Sequence, residues 1–375
     1  MSGSQEYDLI VIGGGPAGSS AAITAARAGA RVLLLEGGRL PRHKVCGEFV
    51  SAESLALLAC LLSHQHQPVL RTAPRIGQSR IFLDGRIVHT PVQPAAASIA
   101  RYDLDAALLN SCEDQGVTVR IQATVQSLVR EPLHVFGSGS PFRVATSSGD
   151  FSGRAVINAS GRWSRLSGTM PPQTTTKWIG VKAHFSELAS SNSVDLYFFD
   201  GGYCGVQPVK LAGQAASSRV NASAMVKSGV ASTLAEVFQL HPALRERSRD
   251  WQPLSDAVST SPLFFRAPVP TREGILFAGD AAAFVDPFVG DGISLALRSG
   301  ALAAECLGSF LHGKITLEAA ADRYADAYEK RFASIFNNSA RLRRMLLFPR
   351  PIRKAALMVL QRTPGLTKFL VRKTR

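Results

Sequence analysis

Residues 7–36 constrain the fold more than any other stretch of the chain. Tyr7 to Ile12 is a largely apolar run of strand length, and Ala17 to Ala28 is small, apolar and free of proline, so it reads as a helix. Between them stands Gly13-Gly14-Gly15-Pro16-Ala17-Gly18. Gly13 permits a tight turn, Gly15 lets backbone approach a pyrophosphate, and Gly18 lets helix and strand pack closely. The amides at the start of the helix then face the phosphates. Arg31 to Leu35 reads as a second strand ending at Glu36, a carboxylate placed to accept ribose hydroxyls and to disfavour a 2′-phosphate. A functionless glycine turn is the bland alternative, but strand, glycines, helix, strand and acid stand in the order that dinucleotide binding requires.

A second segment narrows the choice of dinucleotide. Gly274 to Asp280 reads as a strand ending at Gly279-Asp280, followed by Asp286-Pro287-Phe288-Val289-Gly290-Asp291-Gly292-Ile293 and a helix. A nicotinamide dinucleotide does not need this. A flavin does: Asp280 would reach the ribityl hydroxyls, while Pro287 and Gly290 to Ile293 would bring backbone amides and a positive helix end to the ring, where charge gathers on reduction. A plain helix N-cap is the competing reading of Asp280. The cofactor expected is FAD.

These residues resemble flavoproteins built like the aromatic-ring hydroxylases, and in particular their geranylgeranyl-reductase-like branch. The resemblance rests on the GGGPAG turn with Glu36, on Lys44-Val45-Cys46-Gly47-Glu48, on Arg101 with Asp105, on Asn158-Ala159-Ser160-Gly161-Arg162, and on Gly279-Asp280 through Gly292. It implies that Arg101 contacts the ribityl or pyrophosphate side of FAD, that Arg42, Cys46 and Gly47 belong to a loop near the ring, and that Gly161 borders the cofactor. Arg101 and Asp105 read alternatively as an i,i+4 surface pair, and Cys46 as a buried structural thiol. The hydroxylases carry Asp where this chain has Ser160, which argues against direct docking of NAD(P)H and points to an external electron donor.

From Trp178 to Val226 the chain alternates like strands, which indicates an antiparallel sheet. The resemblance implies that this sheet roofs the reactive face of the flavin. His184 and Tyr203 are its obvious proton-transferring groups and, with Cys46, the catalytic candidates, against ordinary structural hydrogen bonding. Phe185, Phe198, Phe199, Phe264 and Phe265 are candidate pocket walls, against simple core packing.

The fold class expected is therefore α/β: a Rossmann-like FAD-binding domain (1–80, 101–170, 265–330) interleaved with a substrate-binding sheet domain (81–100, 171–264), then basic amphipathic helices over 331–375. Lys and Arg outnumber Asp and Glu by 42 to 28, and from Arg341 to Arg375 there are eleven basic residues and no acidic one, interleaved with apolar positions. Such a segment suits an anionic membrane surface or a partner protein, or it packs on the body with its charges solvated. Nucleic acid fits poorly, since no binding module is recognisable. The five cysteines are scattered, without metal-ligand spacing, so no metal is expected and a cytoplasmic setting fits best, either free or peripheral at the inner face of a membrane. The activity expected is reduction of a carbon–carbon double bond in a hydrophobic isoprenoid, polyketide or aromatic substrate. Aromatic hydroxylation, halogenation, modification of a partner protein and a non-catalytic binding module are the alternatives.

Overall fold

The structure, a computed structural model, describes residues 5–131, 141–162, 177–189, 191–210, 218–346, 348 and 350–353. The opening strand, Gln5–Ile12, lies parallel to Val32–Glu36 on one side and to Gly149–Asn158 on the other. The sheet order is Thr271–Arg272, Ile275–Phe277, Gly149–Asn158, Gln5–Ile12, Val32–Glu36, Thr118–Ile121, with the hairpin Val125–Arg130 and Phe142–Thr146 attached to Gly149–Asn158. Leu9 to Ile12 and Val32 to Leu35 are almost solvent-free. That explains their unbroken apolar runs, as expected where a parallel sheet is covered by helices. Helix Pro16–Arg27 packs on helix Gly292–Leu311 so closely that a Cβ at Gly300 would lie 2.0 Å from the Ala17 carbonyl oxygen.

The second sheet runs Val258–Leu263, Trp178–Ser186, Arg219–Lys227, Gly202–Pro208, Ser193–Phe199, Arg75–Leu83, Arg86–Ser98, Phe49–Val50. It is mostly antiparallel, but Ser193–Phe199 pairs in parallel with Arg75–Leu83. Strands Phe49–Val50 and Arg75–Leu83 thus join the second sheet although both begin before residue 81; Phe82 stacks on Tyr197 at 4.4 Å, which ties the Arg75–Leu83 strand to this core. Side chains alternate between the two faces. One face carries Val181, Ala183, Phe185, Ala222, Val206 and Tyr197 into a core shared with Leu234, Phe238 and Trp251. The residues between these in sequence, among them Lys182, His184, Asn221, Tyr203 and Phe198, take the other face, toward the first sheet's loops.

Helix Leu317–Leu346 runs unbroken through residue 331, burying Tyr324, Tyr328, Phe332 and Ile335 against the first core. Beyond it, Arg350 pairs with Asp200 at 2.6 Å, and Arg353 forks onto both Asp84 carboxylate oxygens at 2.9 Å. The start of the basic segment therefore rests on turns of the second sheet. Residues 354–375, with the remaining basic positions, lie outside the described residues.

Candidate active site

Four strand ends converge at the carboxyl edge of the parallel sheet. Ile12 is in register with Leu35 and Asn158, and Asn158 with Phe277, so the chain leaves the sheet side by side at Gly13, Glu36, Ala159 and Ala278. Such an edge is where ligands bind in open α/β sheets. Gly13 has φ +106°, and a Cβ there would stand 2.4 Å from the Ala159 carbonyl oxygen; a Cβ on Gly18 would stand 1.8 Å from that of Gly13. The turn is closed to any larger residue at both positions. Pro16 opens the helix, its N-terminus capped by no side chain. Glu36 is buried, and its two oxygens accept the amides of Gly14 at 2.8 Å and Gly38 at 2.9 Å, while exposed Arg42 stands 3.6 Å away.

The second segment meets this turn directly. A Cβ on Gly279 would lie 2.9 Å from the Ala17 methyl, and the Gly279 amide donates to Ser299 Oγ at 2.9 Å. Asp280 is partly exposed, sits inside a short 3-10 turn rather than at a cap, and is 3.3 Å from the Arg162 guanidinium. Pro287 begins a further turn that closes at Gly290 (φ +75°), packed on Phe49. Helix Gly292–Leu311 then starts, again without a side-chain cap; Ile293 points into the core, while Gly292 has open space where a Cβ would be. Gly47 and Gly161 border open space in the same way. Ser160 is turned inward, its hydroxyl and amide both donating to Asn158 Oδ1.

Arg101 bridges to the opposite wall. Its guanidinium lies 3.8 Å from where a Gly15 Cβ would be, and it forks onto Asp105 at 2.8 and 2.9 Å. Lys44 reaches the same carboxylate at 2.8 Å. Although burial favours the neutral acid, Arg101 and Lys44 outweigh it and hold Asp105 below its ordinary range. The pair is i,i+4, as the bland reading has it, yet Asp105 is wholly buried rather than on the surface.

Behind this lies a cluster that sequence reasoning missed. Glu48, fully buried at φ +61°, accepts the Arg101 amide at 3.0 Å and stands 2.9 Å from Lys182 Nζ and 2.8 Å from His184 Nε2, both also fully buried. Burial pushes the Glu48 carboxyl up, but His184 and Lys182 more than reverse this and hold it low. The Glu48 amide donates to Cys46 Sγ at 3.3 Å, and the Cys46 carbonyl accepts from Asn221 at 3.1 Å. Burial raises the Cys46 thiol, with Arg101 drawing back only part of the rise. Tyr203 is pushed well above its ordinary range by burial, then by Asp286 and the neighbouring cysteines. Cys46, His184 and Tyr203 are thus brought around one loop, but His184 is tied to Glu48.

The expected aromatic wall divides between the faces of the sheet. Phe185 packs on Phe238 and Trp251, and Phe199 against the same core, so neither lines the interior between the sheets. Phe198 and Phe265 do face inward, in an apolar cluster with Tyr203, Met225, Phe284 and Phe288. Period-two alternation separates Phe198 from Phe199, but it does not say which face is which. The signal for Lys182 and His184 was a polar pair two apart in an apolar strand; for Glu48 and Asp286 it was membership of the two quoted motifs.

The FAD dependent oxidoreductase family matches residues 8–162. The menaquinone reductase of Mycobacterium tuberculosis is 28% identical, over 93% of this chain and 86% of that protein. Digeranylgeranylglycerophospholipid reductase 2 of Methanopyrus kandleri is 26% identical, over 88% and 84% respectively. Among solved structures, a flavin-dependent brominase superposes with a TM-score of 0.81 at 19% identity, covering 99% of this chain and 93% of that one, a likeness of fold. A two-sheet flavoprotein is the class that fold and site define. By the family match over residues 8–162 and its likeness to these reductases, the chain is an FAD-dependent oxidoreductase. Among the described residues no helix is long and apolar enough to cross a membrane, and no group of His, Cys, Asp and Glu could hold a metal ion.

Proposed function

We propose that this protein reduces a carbon–carbon double bond in an isoprenoid substrate held between the second sheet and FAD. The reading is carried by the apolar cluster of Tyr203, Met225, Phe284 and Phe288 beside the Pro287–Gly292 turn, and it is supported by the likeness to two reductases named for isoprenoid lipids. The residues fit FAD: the glycine turn leaves no room for a Cβ at Gly13 or Gly18, Glu36 is buried at the second strand's end, and Gly47, Gly161 and Gly292 border open space. In this reading Gly13, Gly15, Pro16, Ala17 and Gly18 form the pyrophosphate turn and Glu36, steadied by Arg42, takes the adenosine ribose. Arg101 and Asp280, with Gly279 against Ala17, hold the middle of the cofactor, while Cys46, Gly47, Gly161, Pro287, Gly290 and Gly292 form the wall around the ring, with Ile293 packed behind it. Reduced FAD, when bound, supplies a hydride. The protein orients the alkene, excludes water and supplies the proton.

In this reading the electrons come from an external donor, in keeping with Ser160 in place of the hydroxylases' Asp and with its hydroxyl turned to Asn158. The basic segment after Leu346 serves an anionic membrane surface, where such a substrate resides, apart from Arg350 and Arg353, which are already engaged with the body.

Holoprotein reduced without oxygen and mixed with digeranylgeranylglycerophospholipid, an isoprenoid lipid without a quinone, in detergent micelles is expected to regain its yellow colour at a substrate-dependent rate. The product should have one carbon–carbon double bond fewer, by mass and by proton magnetic resonance. Product that forms only with oxygen present would overturn the reading in favour of hydroxylation or halogenation. A second measurement concerns the ribose end. Glu36→Ala is expected to weaken FAD binding roughly 10- to 100-fold, the worth of hydrogen bonds to a charged group. Equilibrium dialysis giving wild-type affinity would remove Glu36 from the cofactor site.

A further inference from the structure

We propose that Asp286 is the proton donor of the reduction, standing beside the ring end of the site and facing the apolar cluster in which the alkene would lie. This rests on the isoprenoid-reductase reading. Asp286 directly precedes the Pro287 turn and lies in sequence between Phe284 and Phe288, both members of that cluster. It is 1% exposed, and its Oδ1 has no hydrogen-bond partner among the described residues. Its other oxygen has Arg343 Nη1 at 3.4 Å, and the Arg343 guanidinium lies 3.9 Å from the Phe265 ring centre. The Asp286 backbone is held by its amide donating to Ser339 Oγ at 3.3 Å. A buried carboxyl oxygen without a partner is costly unless it carries a proton or meets a ligand.

The groups facing Asp286 are Arg343 and Ser339 from helix Leu317–Leu346, Tyr203 from strand Gly202–Pro208, and the Phe288 amide of its own turn. Burial pushes the carboxyl up to about 7, against the weaker pull of Arg343 and the Phe288 amide. A carboxylic acid kept neutral near physiological pH is a competent donor. Its rivals are worse placed. Cys46 and Tyr203 hold their protons too tightly, and His184 is bonded to Glu48.

With reduced FAD bound, its bond to hydrogen would break as a hydride, electron pair included, passes to one alkene carbon and forms the first new C–H bond. The alkene π pair would form the second with the Asp286 proton, so the π bond and the carboxyl O–H bond would break. Flavin would be oxidised and the alkene reduced, with Asp286 left as a carboxylate beside Arg343 until solvent reprotonates it.

The test uses holoenzyme, digeranylgeranylglycerophospholipid in micelles as an alkene that carries no quinone, and ferricyanide as an acceptor that needs no proton. Asp286→Asn is expected to slow anaerobic flavin reoxidation by the lipid about 100-fold or more. FAD content and reoxidation by ferricyanide should be unchanged. In the wild type the lipid-dependent rate should fall as pH rises through about 7, and Arg343→Gln should move that fall to higher pH. Infrared difference spectra of the wild type should show a carboxylic acid C=O band that fades over the same pH range and is missing in Asp286→Asn. Wild-type rates and pH profile in Asp286→Asn, or the absence of that band, would overturn the role of Asp286 alone. A wild-type enzyme that ferricyanide reoxidises and the lipid does not would overturn the isoprenoid reading and this role together.

Discussion

Gly300→Ala is expected to leave the protein colourless and strongly destabilised, because the added methyl would stand 2.0 Å from the Ala17 carbonyl oxygen and 2.9 Å from its carbon. Both are backbone atoms of a helix that starts at the glycine turn after the first strand, so no side-chain rotation relieves the clash. Separating helices Pro16–Arg27 and Gly292–Leu311 would also pull Ala17 away from Gly279, where a Cβ would stand only 2.9 Å from the Ala17 methyl. The cost should reach or exceed the top of the usual overpacking range of about 1–3 kcal/mol. Gly308→Ala, in the same helix but with no atom within 4 Å of the new methyl, is the control and should be neutral or stabilising by up to ~1 kcal/mol. Thermal unfolding and the ratio of flavin to protein absorbance measure both effects. A yellow Gly300→Ala protein with wild-type melting would refute the close helix contact.

Glu48→Ala should cost about 3–5 kcal/mol, the usual penalty for leaving a buried charge without its partner. Lys182 and His184 would keep their burial and lose the carboxylate within 2.9 and 2.8 Å of them. Adding Lys182→Met should recover a large part of the loss, and urea unfolding of the single and double variants reads the coupling directly. Additive effects would mean that the ion pair does not form. The pH dependence has a definite sign. The Glu48 carboxyl lies below its unfolded value of 4.5, so its contribution is present above that value and is lost as pH falls through the lower folded one. Glu48→Gln should lose that part of the acid sensitivity.

The cofactor end of the fold was the more legible because its rules are local. Turn, close approach and terminal acid follow one another within residues 13–36, and each glycine expected to be indispensable at Gly13 and Gly18 proves sterically so. The second sheet was legible as a set of strands, but its edges were not. Arg75–Leu83 finds its partner Ser193–Phe199 more than a hundred residues later, a pairing that no local pattern encodes. The buried Glu48–Lys182–His184 cluster escaped for the same reason: a lone Glu in a loop and a Lys in a strand look solvated until the fold removes water from both. Arg343 gave no sign of reaching Asp286, because in sequence it reads as one more cation of the basic segment.

The two-faced strand Trp178–Ser186 limits how this protein can change length. One inserted residue would turn Phe185 and Ala183 inward and drive Lys182 and His184 into an oily layer with no carboxylate to meet them. Two inserted residues would restore the alternation and shift only the turn. Natural or designed variants should therefore lengthen this strand in even steps.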